Sequence, residues 1–90
     1  MKQAHLIIKG IVQGVSFRYY TRKKATELNI VGFVKNKKDG TVEVLAQGRE
    51  EELKRFIAWC KEGSEMATVK DLDIIWEKPQ KEFGQFMIRR

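Results

Sequence analysis

Ninety residues leave room for one hydrophobic core, so residues 1–90 are expected to form a single domain, and any ligand must bind to one folding unit. A hydrophobic content of 42% beside 33% charged residues is globular, no apolar run approaches the roughly 20 residues of a membrane span, and MKQAHLIIKG lacks the apolar core of a secretory signal, so a soluble cytoplasmic protein is expected. One cysteine forbids an internal disulfide, one histidine leaves neither a zinc ligand set nor a spare proton shuttle, and the net charge of +6 favours anionic partners without choosing among phosphorylated small molecules, nucleic acid and membrane surfaces.

Residues 5 to 12, HLIIKGIV, are rich in Ile, Leu and Val and predict a first strand, with His5 at its start or on an edge. After Gln13 and Gly14, the positions Phe17, Thr21, Ala25 and Leu28 recur at helical spacing, while Arg18, Arg22, Lys23 and Glu27 face away from that stripe and Asn29 stops the helix. Residues 30 to 36, IVGFVKN, and 41 to 47, TVEVLAQ, return to strand character. Asp39 and Gly40 between them suit a tight primed hairpin turn.

Gly48 breaks the hairpin's second strand, and Glu50 to Glu52 complement the positive end of a second helix. Leu53, Phe56, Ile57 and Cys60 form its buried stripe, which makes Cys60 a core hydrophobe, with Trp59 half-buried beside it and Gly63 as the stop. Leu72, Ile74 and Trp76 alternate within residues 67 to 77, Pro79 and the polar KPQKEFG stretch fit a turn, and residues 83 to 89 give a last strand with Phe86 and Ile88 on one face. The order is βαββαβ plus a terminal strand. It predicts an α+β, ferredoxin-like sandwich: an antiparallel sheet with a short extra C-terminal strand, both helices on one face and the other face open to solvent.

Chemistry concentrates at residues 10 to 18, GIVQGVSFR, where a strand gives way to a helix. Gly10 and Gly14 allow positive φ or close approach to the backbone, and Arg18 falls on the first helical turn. Unpaired amides, the helix dipole and a guanidinium together form an anion cradle, although such a loop alone is equally a glycine turn beside a surface arginine. A second element is Asn36, at the end of the strand that precedes the hairpin turn. Lys37 and Lys38 beside it are read as a solvated tip.

These two blocks resemble the acylphosphatase family. The first matches at Gly10, Val12, Gln13, Gly14, Val15, Phe17 and Arg18, and the second at Gly32, Phe33, Val34, Lys35, Asn36, Gly40, Val42 and Gly48; chain length and element order agree as well. The resemblance implies hydrolysis of an acyl phosphate to a carboxylate and inorganic phosphate with no metal, no cofactor and no covalent intermediate. It implies that Arg18 binds the phosphoryl group, that Asn36 orients the attacking water, and that backbone amides of Gln13, Gly14, Val15, Ser16, Phe17 and Arg18 surround the phosphate oxygens. The expected partners are the acyl phosphate and inorganic phosphate, with no nucleic acid, no membrane and a monomeric state. Ser16 stands where many relatives carry Gly or Cys and supplies the same N–H, and Gly63-Ser64 replaces a frequent Gly-Pro.

Two other readings share the element order. An RNA-binding module would use an aromatic platform on the sheet, but HLIIKGIV offers none and Phe33 alone cannot stack paired bases. A regulatory domain without catalysis would not need both Arg18 and Asn36.

Overall fold

Alternation along the strands sends one side chain in two toward the helices, and that half of the sheet is almost wholly apolar. Ala4, Leu6 and Ile8 of β1 (Lys2–Ile11), Val34 of β2 (Val31–Asn36), Val42, Val44 and Ala46 of β3 (Val42–Gly48) and Phe86 of β5 (Phe86–Arg89) are all buried. They pack against Phe17 and Ala25 of α1 (Phe17–Glu27) and Leu53, Phe56, Ile57 and Cys60 of α2 (Glu50–Glu62) in one cluster, so both helices share one face. The computed structural model describes residues 1–90, and β4 (Thr68–Glu77) completes the sheet. Thr21, on the buried side of α1, donates its hydroxyl to the Phe17 carbonyl at 2.8 Å and so needs no partner in the core. Burial pushes the Cys60 thiol far above its ordinary pKa, as befits a packing residue. No helix is long and apolar enough to cross a membrane.

The strand order is β4-β1-β3-β2-β5, with β1 central between β3 and β4, both antiparallel to it. The first four strands give the antiparallel arrangement expected of βαββαβ. The terminal strand differs: β5 runs parallel to β2, pairing Gly32 to Lys35 with Phe86 to Arg89, and makes the sheet mixed. β5 is antiparallel to β4, the strand before it, and the segment between them reaches the opposite edge by passing across the outer face of the sheet.

That path covers one end of the outer face, whereas the rest, with Lys9, Asp73 and Ile75 exposed, is open as expected. Gln47 is fully buried there: its amide nitrogen donates to Gln3 Oε1 at 2.8 Å and to the Lys81 carbonyl, and its Oε1 accepts from the Phe83 amide at 3.2 Å. Gln3 in turn donates to Glu77 at 3.0 Å. Phe83 meets Phe33 edge-on at 6.0 Å, and the Arg89 guanidinium lies 4.2 Å from the Phe33 ring centre, so the aromatic face of Phe33 is occupied. His5 is likewise neither at a strand start nor at an edge. It lies within central β1, opposite Leu45 and Ile75, with Nε2 2.7 Å from Glu43 Oε2.

The hairpin closes through a wider turn than a two-residue primed one. Lys37 N–H donates to Thr41 O at 2.9 Å and Gly40 N–H to Lys37 O at 3.2 Å, and only Gly40 has positive φ, at 91°. This is a type I turn followed by a left-handed residue. Asp39 decides it: its carboxylate accepts from the Thr41 hydroxyl at 2.6 Å and amide at 3.0 Å, bonds that also hold its pKa below the usual value.

Just before the candidate loop, the β1–β4 register shifts between Lys9 and Gly10. Gly10 has φ of 133°, and a Cβ there would stand 2.1 Å from the Thr68 carbonyl oxygen. The bulge therefore requires glycine, and it turns the end of β1 toward α1. Gly10→Ala is expected to lower unfolding free energy by about 2 to 3 kcal/mol, read by urea denaturation; a wild-type midpoint would contradict this account of the bulge.

Candidate active site

The loop from Val12 to Ser16 joins β1 to α1 with its amides unspent. No backbone N–H from Gln13 to Arg18 donates to a protein acceptor, and the first helical bond is Tyr20 N–H to Ser16 O at 3.3 Å. Gly14 at φ 75° and Ser16 at φ 59° take left-handed conformations, which turn successive N–H groups to one side. For Ser16 this is a strained choice, costing about 1 to 2 kcal/mol. It also removes the ordinary serine cap, because Ser16 makes no side-chain bond to the helix start.

The two helices begin in opposite electrostatic states. The first turn of α2 carries Glu50, Glu51 and Glu52, whereas that of α1 carries no acid. Glu50 is further paired with Lys2 and Lys54, which hold its carboxyl below the usual range. The positive end of α1 stays uncompensated, with Arg18 beside it, and attracts an anion.

Asn36 arrives from the other side as the last residue of β2. Its Oδ1 is buried and has no hydrogen-bond partner within the protein. It shares a hollow of about 460 Å³ with Val12, Gly14, Ser16, Phe17 and Arg18. Arg18 donates from Nη1 to the Arg89 carbonyl at 3.0 Å, a bond that fixes the guanidinium beside β5 while leaving its other donors free. A bound anion would meet backbone amides and a guanidinium, with the side-chain amide of Asn36 on the same hollow.

Not every expected residue faces this hollow. Gln13 turns its side chain away and donates from Nε2 to Lys37 O at 2.7 Å and Thr41 O at 2.8 Å, strapping the loop to the hairpin that carries Asn36. Val15 packs against the core, and Phe17 is buried and stacked on half-buried Trp59 at 5.8 Å, so both anchor the loop. Tyr19, Ile88 and Arg90 also line the hollow, and no local motif marks them. The parallel pairing of β5 is what delivers Ile88 and Arg90. Lys37 and Lys38 are exposed, as a solvated tip should be, yet with Lys35 and Arg90 they border a second hollow of about 600 Å³ that includes Asn36. A further hollow of about 540 Å³ lies at the opposite end of β1, where Lys2, Glu50 and Lys54 already pair with one another.

The family model described as Acylphosphatase matches residues 4–88, which includes the whole loop, the hairpin and most of β5. The acylphosphatase of Chloroflexus aurantiacus is 42% identical over 86 residues, 96% of this chain and 94% of that one. That of Syntrophus aciditrophicus is 42% identical over 88 residues, 98% of this chain and 92% of its own. The crystal structure of acylphosphatase from Bacillus subtilis superposes with a TM-score of 0.96 at 37% identity, each chain covered in full. Sequence and fold are thus matched from end to end, and the chain belongs to the acylphosphatase family, whose enzymatic activity it shares.

Proposed function

We propose that the chain acts as a monomeric, metal-independent cytoplasmic acylphosphatase in which Arg18 and the amides of Gln13 to Arg18 hold the phosphoryl group while Asn36 orients the attacking water. Family membership gives the substrate class, an acyl phosphate, and the product, inorganic phosphate. The observation that carries the residue assignment is that Asn36, whose side-chain oxygen has no partner in the protein, lines the same hollow as Arg18 and the loop with free amides.

The chemistry asks little of the nucleophile. An acyl phosphate has a carboxylate as leaving group, and phosphoryl transfer runs through a loose transition state with charge on the equatorial oxygens. Water's oxygen bonds to phosphorus as the phosphorus–oxygen bond to the acyl group breaks, the electron pair departs on the carboxylate, and the water's protons pass to phosphate and solvent. Asn36 is no base at neutral pH; its side-chain amide hydrogen-bonds the water and so aims one of the water's lone pairs at phosphorus. Arg18 and the amides supply fixed positive charge where negative charge sits, which is the role a metal ion fills elsewhere. Lysine at position 18 would keep the charge and lose the two-pronged geometry.

Purified protein is expected to hydrolyse benzoyl phosphate in the presence of EDTA. A charge-assisted hydrogen bond contributes about 1.5 to 3 kcal/mol, so Arg18→Ala, losing two, should lower kcat/KM by about two to four powers of ten. Asn36→Ala should lose about a hundredfold to a thousandfold, the range for a single positioned polar group, with both variants keeping the wild-type circular dichroism spectrum. Near-normal turnover in folded Arg18→Ala or Asn36→Ala would refute the assignment.

Inorganic phosphate should inhibit competitively, because it fits the same cradle, and an insensitive enzyme would place the phosphoryl site elsewhere. The Gln13 strap gives a separate expectation. Gln13→Ala removes two hydrogen bonds between the loop and the hairpin and should lower kcat/KM about tenfold. Gln13→Glu should lose more, since a carboxylate cannot donate to the two carbonyls and is repelled by them; wild-type rates in both would show that the strap is idle.

A further inference from the structure

The hollow around Asn36 has a closed floor and an open rim. Val12 and Phe17 are buried and Asn36 is half-buried, whereas Gly14, Ser16, Tyr19 and Arg90 are exposed. In-line displacement puts the entering and departing oxygens on opposite sides of phosphorus. Water held by Asn36 enters from the floor, so the departing carboxylate and its acyl group point toward the rim.

Tyr19 is the exposed aromatic side chain on that rim, with 49% of its surface free. Phe17 also lines the hollow but is already stacked on Trp59. The Tyr19 ring is steadied by an edge-on contact with Tyr20, centroids 5.1 Å apart. Its backbone follows Arg18 directly on α1, so ring and guanidinium are carried by the same rigid turn. A flat acyl group attached to a phosphoryl group in the cradle has this ring to lie against. Arg90, also on the rim, attracts any departing carboxylate and therefore does not distinguish one acyl group from another.

We infer that Tyr19 sets the acyl preference of the site, stacking against planar aromatic acyl groups so that aromatic acyl phosphates are processed in preference to small aliphatic ones. The inference rests on the hydrolytic reading of the Arg18 and Asn36 site given above. A stacked acyl group keeps its contact as the phosphorus–oxygen bond lengthens, so the preference appears in kcat/KM.

The test compares kcat/KM for benzoyl phosphate and acetyl phosphate in wild type, Tyr19→Ala and Tyr19→Phe, with inhibition by inorganic phosphate measured in each. Because the comparison is between variants, the intrinsic reactivities of the two substrates cancel. Tyr19→Ala is expected to lower the benzoyl-to-acetyl ratio about threefold to tenfold, the span of an aromatic contact, with the loss falling on benzoyl phosphate and phosphate inhibition unchanged. Tyr19→Phe is expected to keep the ratio. An unchanged ratio in Tyr19→Ala, an equal fall on both substrates, or a ratio lost in Tyr19→Phe overturns the inference and leaves the hydrolytic reading standing. Failure of the wild type to turn over either substrate overturns that reading, and the inference with it.

Discussion

Everything at the site depends on how the chain enters α1. Left-handed turns at Gly14 and Ser16 bring the backbone into the helix without the serine cap that would consume the first amides, and no acidic side chain follows to neutralise them. The helix thus begins with uncompensated positive potential and free donors. Such an end costs stability unless an anion completes it, and the rest of the molecule supplies that stability by anchoring the loop on both flanks. Phe17 is locked against Trp59 on one side, and Gln13 is strapped to Lys37 and Thr41 on the other.

Those anchors join segments far apart in the chain. Asn36 reaches the hollow because β2 ends there, and β2 is held between β3 and β5. Arg18 is held by the Arg89 carbonyl, which stands at that place because β5 pairs in parallel with β2. The segment that carries the chain to that edge of the sheet is fixed by Gln47, whose buried amide bonds Gln3, Lys81 and Phe83. A buried glutamine on the face opposite the helices thus supports the position of a guanidinium at the end of the sheet. Preorganisation of this kind suits a reaction whose barrier falls by placement and fixed charge.

Much of this fold is written in local periodicity. Phe17, Thr21 and Ala25, and again Leu53, Phe56, Ile57 and Cys60, recur at helical spacing, and the structure buries those residues. Asp39-Gly40 marks a hairpin but not its turn type, because the pair suits a primed turn as well as a left-handed closing glycine; the two bonds from Thr41 to Asp39 decide it. The parallel pairing of β5 and the covering of one end of the outer face leave no local trace, since KPQKEFG is polar and reads as a turn while its packing partner, Gln47, lies in an ordinary alternating strand. At the site the same division holds. Arg18 and Asn36 are legible because each sits inside a contiguous motif, whereas Tyr19 is indistinguishable in the sequence from any exposed helical tyrosine, and Ile88 and Arg90 arrive only through tertiary pairing.

The proposed chemistry turns on water attacking phosphorus, oriented from the floor of the hollow by Asn36. Hydrolysis of benzoyl phosphate in water enriched in heavy oxygen tests it directly, with the label located by mass spectrometry of both products after a single turnover. The heavy oxygen is expected in inorganic phosphate, with none in benzoate. Label in the benzoate carboxyl group would mean attack at the acyl carbon, and would contradict the roles of Asn36 and of the phosphate cradle together.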